Sequence, residues 1–589
     1  MPVNSVKTMH QTYTGPVTSS TTSHPCESLD RQTRAWHVGL INGATQRYLT
    51  CEFFNRRITA TANILRKPQT WIIEPVVEYR CDRDNSELKR IPECQPGNSL
   101  VRLKNHQGCY VREDKWEPTT LKCEDTEHAA AAVFCVRTLE LPTIENENAH
   151  RYWLFQHSTN QKYLAATERE FYLADLKPVV LDLNSTSVQL NACWMVHLAA
   201  HPQVALASLT RHTFARTTED GEICMDETMP WGCDALITLE WHQAHGGRYS
   251  IHGYDGKCLT RRGTMQESIL PTMDTMFHIE FHRNGGLAFR DIAGQYLTAT
   301  GPNGLLGFRS SNASRNELFM IENSLIQFAL VASNGKHVSC QGVDLVANKA
   351  QISDYETFQL EMSGVNRRSR SLSRCRLRTV KETYWSVQHS TGALLTIQND
   401  KNDDSTNFNI DWHADGGVSL SVPDGRYITA KANGHMFATS CDNGTHEKFL
   451  FYIVNRPIVV LRCSYGYVGY KNAYSPRLEC NRPTYSIMTM VPAAHGGVYL
   501  RAPNMKYVRV DRNADVWADA IQGDQEEFRV AVRGNTKLTL QTSEGRYLRA
   551  NQNGPITADA IDQDDSVLWE FSGRAPGFGE TDEIDEETH

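Results

Sequence analysis

The chain has no apolar run approaching the ~18 residues that a membrane-spanning helix requires. Its first 32 residues are rich in Ser and Thr and contain no apolar centre of the kind found in secretory signals. No membrane insertion and a cytoplasmic location are therefore expected. The sixteen cysteines include no CxxC pair and keep no common spacing. Zinc sites and disulfide frameworks both depend on such spacing, so free thiols are expected. GxSxG, P-loop and GxGxxG motifs are missing, which removes the commonest nucleophile and phosphate-cradle signatures. His278 and His282 stand four apart, but Ile279 follows the first where a zincin helix needs Glu. In a strand, positions 278, 280 and 282 would share one face; His242 and His245 form no better metal pattern. No enzyme activity, cofactor or metal is expected. The net charge of −8 argues against a nucleic-acid partner. Glu580, Asp582, Glu583, Asp585, Glu586 and Glu587 carry six of the negative charges, and the remainder stands at −2. An acidic partner would have to be met by a local basic patch.

What the chain has in abundance is repetition. The stretch Asp424-Gly425-Arg426-Tyr427-Ile428-Thr429 joins a turn glycine to an aromatic and an apolar residue. Plain copies centre on Tyr48, Tyr163, Tyr296, Tyr507 and Tyr547; weaker ones centre on Tyr110, Cys258, His337, Tyr384, Phe214 and Tyr467. With Tyr427 these make twelve. Each is predicted to be a hairpin turn leading into a strand. Most are followed by a second aromatic that opens an alternating strand, as at Trp71, Phe134, Trp194, Phe277, Phe319, Phe358, Phe408, Phe449, Phe528 and Trp569. From Tyr296 onward the first pattern recurs at steps of 41, 47, 43, 40, 40 and 40 residues. A period of this size marks a repeat architecture in which one unit cannot bury its own apolar face.

Helical periodicity is scarce, while Gly417–Val422 and Gly497–Arg501 alternate at period two. Three units of about 40 residues, each with room for four short strands, would make a closed all-β barrel of threefold pseudosymmetry, and closure removes exposed sheet edges. Twelve units divide into four groups of three. The expected organisation is a disordered extension over 1–32, barrels over 33–200, 201–323, 324–455 and 456–571, and an acidic disordered tail over 572–589. The first barrel carries insertions at Glu78–Asn98 and between Tyr163 and Trp194.

The runs Leu65-Arg66-Lys67-Pro68-Gln69-Thr70-Trp71, His201-Pro202-Gln203-Val204, Pro230-Trp231-Gly232, Gln341-Gly342-Val343-Asp344, Glu356-Thr357-Phe358-Gln359-Leu360, Asn455-Arg456-Pro457-Ile458-Val459 and Leu568-Trp569-Glu570-Phe571 closely resemble fascin, in collinear order. The resemblance spans about residues 36–571. It implies four tandem β-trefoil domains, each of three four-stranded repeats, arranged as two lobes. It also implies a monomer that cross-links filamentous actin into parallel bundles in cell protrusions. Two alternatives remain open: a fascin-like scaffold that has lost tight bundling, and a carbohydrate-binding trefoil. The second rests on a single Q-x-W copy, Gln69-Thr70-Trp71.

Filamentous actin is acidic, and bundling needs two separated basic faces on one body. By resemblance, the first face combines Arg47, Arg57, Arg66 and Lys67 with Lys471, Lys537 and Arg549. A second face would draw on Arg211, His212 and Arg216, and Ser339 matches a regulatory phosphorylation site. The chain departs from the family at Pro68, at Asp125, and at Ile64, where a regulatory serine is replaced. The stretch Asn366–Arg378, rich in Arg with Ser369, Ser371 and Ser373, is expected to form a basic loop.

Overall fold

The computed structural model describes residues 35–573 apart from 55, 77–98, 118, 126–129, 144–145, 176–189, 268–271, 283 and 363–372. The expected extension over 1–32, the insertion at Glu78–Asn98 and the acidic residues 580–587 lie outside the described residues. Among those described there is no α-helix; strands fall into four sheets of 12, 12, 12 and 13 members.

The first sheet shows how a barrel closes. Strands Trp36–Asn42, Thr70–Pro75, Ser99–Asn105, Val133–Thr143, Asn146–His157 and Trp194–Leu198 pair in succession, and the last returns to the first. Three hairpins hang from this ring: Tyr48–Cys51 with Ile58–Ala62, Tyr110–Glu113 with Leu121–Glu124, and Tyr163–Ala166 with Phe171–Ala174. Six ring strands and three hairpins make a β-trefoil. The other three barrels close in the same way, through Gln203–Ser208 with Phe319–Glu322, Gln327–Val331 with Lys448–Ile453, and Arg462–Cys463 with Trp569–Glu570. The fourth sheet gains its extra strand because its opening segment is broken into Ile458–Val459 and Arg462–Cys463.

The two sequence patterns interlock physically. All ten closing aromatics named above are at most 1% exposed. Where the closing aromatic is Trp71, Trp194 or Trp569, its indole N–H donates to the carbonyl of Leu49, Leu164 or Leu548, at 2.9, 3.0 and 3.1 Å. Each acceptor is the residue after the hairpin tyrosine, so the indole clamps its own repeat. One-turn 3-10 helices aim several of these aromatics: Lys67–Gln69, Arg315–Glu317, Asp354–Glu356 and Asp565–Val567 each end two residues before one. At Ser353 the hydroxyl accepts from the Tyr355 N–H, while the Glu356 carboxylate accepts from the Ser353 N–H at 2.9 Å, a reciprocal cap.

The turn position two residues before the tyrosine has positive φ in eleven of the twelve copies. Glycine occupies six, at 108, 256, 294, 335, 425 and 545, as expected. The other five are Gln46, Gln161, His212, Glu382 and Met505, with φ between 55° and 63°. The sequence expectation of a turn glycine therefore understates how strongly the barrel imposes this left-handed bend, since a non-glycine residue there costs about 1–2 kcal/mol.

Most buried apolar residues fall into two large clusters, one spanning Trp36 to Ile321 and the other Ile326 to Phe571, with two smaller ones beside the first. The four trefoils thus form two lobes. The lobes meet at a polar joint. Gln203 Oε1 accepts from the Val460 N–H at 2.8 Å, and Gln203 Nε2 donates to the Ile458 carbonyl at 3.4 Å. Ser572 Oγ donates to the Gln203 carbonyl at 3.3 Å and accepts from the Ser324 N–H at 2.8 Å. Arg456, 2% exposed, donates to the carbonyls of Ser324 and Asn455 and stacks over Phe571 at 5.5 Å. Burial pulls its guanidinium down to about 9.

Two outcomes test these assignments. Met505→Gly relieves a left-handed non-glycine turn and should raise stability by about 0.5–1 kcal/mol, read from the urea midpoint. Gln203→Ala leaves the Val460 N–H unpaired inside the joint and should cost about 1–3 kcal/mol, with small-angle scattering showing a broader distribution of lobe separations than in the parent chain.

Candidate functional site

The first candidate face is carried by two barrels that abut. Four of its residues come from one repeat of the first trefoil. Arg47 is exposed and follows the left-handed Gln46; Arg57 is exposed at the edge of strand Ile58–Ala62. Arg66 is half-buried at the start of the 3-10 turn, and its backbone N–H donates to Gln69 Oε1 at 3.1 Å. Lys67 is exposed on that turn, whose first positions tolerate Pro68 because its missing N–H is not needed there. From the fourth trefoil, Lys471 is exposed near the end of strand Gly466–Asn472, Lys537 is half-buried opposite Glu570, and Arg549 pairs with Asp559 at 3.4 Å.

Where the two barrels approach each other lies a buried aromatic and cationic cluster. Tyr48, the neighbour of Arg47, hydrogen-bonds through its hydroxyl to His197 Nδ1 at 2.8 Å. His197 stacks on Trp241 of the second trefoil, with centroids 4.2 Å apart and planes 9° from parallel. Arg462 of the fourth trefoil lies over Tyr467 at 5.5 Å and 3.9 Å from Glu570. Burial, assisted by the Arg462 charge, drives the His197 imidazole down to about 3, so it is neutral at physiological pH. Burial and the neighbouring phenols of Tyr467 and Tyr249 push the Tyr48 phenol well up. The cluster is a buried seam around the Arg462 cation. Lys537, through its strand partner Glu570, stands at its rim.

The residues named for a second face are engaged within the second trefoil. The Arg211 guanidinium donates to the carbonyls of Gly301 at 2.7 Å, Pro302 at 3.3 Å and Ala299 at 3.4 Å, tying one hairpin to another. Arg216 forms a bidentate pair with Asp226, both contacts at 2.9 Å, and reaches Glu227 at 3.1 Å. His212 is exposed, in the left-handed turn. Both arginine charges are thus neutralised or spent on carbonyls, and a spacing pattern in the sequence cannot reveal that.

Ser339 is 1% exposed in strand His337–Gln341, which contradicts the expectation of an accessible phosphorylation site. Its hydroxyl donates to Glu356; burial pushes that carboxyl upward, but the bonds from Ser339 and Ser353 outweigh it and leave it below the usual range. The basic loop is also corrected in part. Residues 363–372, with Ser369 and Ser371, lie outside the described residues, and Ser373–Arg378 is a strand in which Arg378 pairs with Glu382 at 3.2 Å. Asp125 is exposed, consistent with a lost basic contact at that position.

The Q-x-W motif has a structural role. Gln69 is buried, its Nε2 donating to Thr50 Oγ1 at 3.2 Å, and Trp71 is 0% exposed. A sugar-binding aromatic must present its face to solvent, so the sole carbohydrate signature has no accessible ring. His278 Nε2 accepts from Arg248 Nε at 3.1 Å, and burial beside Arg248 drives it down to about 3. Among the described residues no cluster of three or more His, Cys, Asp or Glu is arranged to hold a metal ion. Every described cysteine is a free thiol. No helix among the described residues is long and apolar enough to cross a membrane.

Sequence comparisons align with this architecture. A family model described as the fascin domain matches residues 197–321, 334–451 and 467–571, which fall on the second, third and fourth barrels. Fascin-2 of Bos taurus is 29% identical over 511 residues, covering 86% of this chain and 92% of that protein. Fascin of Strongylocentrotus purpuratus is 25% identical over 487 residues, covering 82% and 88%. Fascin-3 of Mus musculus is 23% identical over 469 residues, covering 79% and 83%.

Ser339→Glu should cost ~3 kcal/mol or more, because it sets a second carboxylate beside the buried Glu356. Ser339→Ala should cost far less. Thermal unfolding of the two variants distinguishes a buried structural hydroxyl from a surface regulatory one.

Proposed function

This chain belongs to the fascin family, and on that premise we propose that it binds actin filaments and cross-links them into parallel bundles. The observation that carries the reading is the match of the family model to three of the four barrels, joined by a fixed joint into one two-lobed body. A bundler needs stiffness. If the second site is held at a set distance from the first, each contact can be weak and the pair still effective, because the second binding step becomes intramolecular.

The proposed filament-binding face combines Arg47, Arg57, Arg66 and Lys67 with Lys471, Lys537 and Arg549 across the seam between the first and fourth trefoils. Within this set Arg47, Arg57, Lys67 and Lys471 are exposed, and Lys67 and Lys471 give one exposed lysine from each of the two trefoils. Arg549, held by Asp559, must exchange that partner to contribute. A second face using His212, with Arg211 and Arg216 released from their internal partners, is the less favoured half. The protein acts as a cytoplasmic monomer at the actin cytoskeleton of cell protrusions, by geometry and charge, with no catalytic step and no cofactor.

Co-sedimentation with filamentous actin tests the reading. Low-speed pelleting that weakens as salt is raised supports two charged faces. High-speed pelleting alone would mean binding without bundling, the lost-function alternative; no pelleting at either speed overturns the proposal. The double variant Lys67→Glu and Lys471→Glu should reduce the bundled fraction severalfold at physiological salt with an unchanged melting temperature. A bundle yield equal to that of the parent would remove these two residues from the face.

A further inference from the structure

Among the described residues, three aromatic side chains stand almost wholly in water: Phe54 fully, Tyr474 at 98% and Trp116 at 89% exposure. All three lie on hairpin tips. Phe54 falls between strands Tyr48–Cys51 and Ile58–Ala62, Trp116 between Tyr110–Glu113 and Leu121–Glu124, and Tyr474 between Gly466–Asn472 and Ser475–Arg482. The tips of Phe54 and Tyr474 are shaped without these rings. The Glu52 N–H donates to the Arg57 carbonyl at 3.0 Å and closes the first tip, where Phe53 lies against the His106 ring with centroids 4.6 Å apart and Phe54 is left outside. Asn472 pairs with Ser475, and Asn472 Oδ1 accepts from the Tyr474 N–H at 2.9 Å, so backbone and amide set that turn.

Single exposed apolar residues are common, and it is charge that separates these three. Residues 52–57 carry two arginines against one glutamate, and residues 471–474 carry one lysine and no carboxylate. Residues 114–120 carry one lysine against two carboxylates. Only the tips of Phe54 and Tyr474 therefore suit an acidic surface. Each also holds a residue of the face described above, Arg57 on the first and Lys471 on the second.

We propose that Phe54 and Tyr474 are the apolar anchors of the filament contact, each seating its ring in a recess of the acidic actin surface that its basic neighbour approaches. The inference rests on the actin reading and adds residues which that reading did not contain. Basic side chains speed encounter and fade with salt, whereas withdrawal of a ring from water contributes affinity that salt does not screen. A few residues carry most of the energy of a protein interface, and aromatic rings are over-represented among them. The two rings also come from different barrels. One anchor would let the body swivel on the filament; two fix its orientation, which parallel bundling requires.

The experiment is high-speed co-sedimentation of the full chain with filamentous actin over a salt series. Phe54→Ala with Tyr474→Ala should weaken filament binding about tenfold and leave its salt dependence as steep as in the parent, because no charge has changed. Both rings are exposed, so the melting temperature should stay at the parent value. Phe54→Trp with Tyr474→Phe keeps both rings and should retain binding. Ile397→Ala truncates a side chain 58% exposed in the third trefoil, away from the face, and should change nothing. Affinity of the double alanine variant equal to that of the parent overturns the proposal, as does an equal loss in Ile397→Ala. A parent chain that fails to pellet with filaments overturns the actin reading and this inference with it, so the parent alone tells the two failures apart.

Discussion

A buried arginine without a carboxylate partner anchors the segments from which the joint between the lobes is made. Arg456 has left water for a joint where carbonyl oxygens and the face of Phe571 are what meet its charge, and removal of a cation from water is costly unless such partners are fixed in place. Gln203, Ser324, Asn455 and Ser572 supply or brace those partners, and they come from the starts and ends of different trefoils. The bonds that Gln203 makes across to Ile458, Val460 and Ser572 therefore tolerate little relative movement of the lobes. Apolar packing gives each lobe its bulk, but a seam of that kind can slide, whereas a hydrogen-bonded amide and guanidinium specify one register.

That register gives the proposed faces meaning. A basic residue on a loose domain is only a solvated charge, and median exposed ion pairs contribute little. Tyr48 bonds His197, His197 stacks on Trp241, and the Arg462 charge reaches this cluster from the fourth trefoil; the proposed face depends on that neighbourhood. Neutral His197 is part of the design: a protonated imidazole near Arg462 would place two cations in a buried seam. The second trefoil uses its arginines differently, to hold hairpins together, so a similar composition serves cohesion in one barrel and remains available for contact in another.

The fold was legible because each repeat writes its two structural demands into sequence: a left-handed turn before an aromatic, and a second aromatic that closes the barrel. The legibility was incomplete at Gln46, Gln161, His212, Glu382 and Met505, where the turn persists without glycine because the surrounding strands impose it. The joint was present in the quoted runs His201-Pro202-Gln203-Val204 and Asn455-Arg456-Pro457, but as likeness alone. Their contact over more than 250 residues has no local signature. The candidate site was legible as a set of basic positions and illegible in its partners, so that Arg211, Arg216 and Arg549 looked equivalent to Lys67 until Asp226, Asp559 and the loop carbonyls were placed beside them. Ser339 was misread for the related reason that burial belongs to the barrel and not to the residue's neighbours in sequence.

Closure of each ring by its last strand also sets the order in which the chain can become itself. During synthesis, the first barrel must wait for Trp194–Leu198 before Trp36–Asn42 has its final neighbour, and each later barrel repeats this delay, so folding proceeds in four discrete increments. The joint obeys a longer clock. Gln203 emerges early, yet the hydroxyl that donates to its carbonyl belongs to Ser572, 369 residues later. Until Ser572 is in place the chain therefore holds barrels whose joint is incomplete, and the fixed outline comes after the barrels that it fastens.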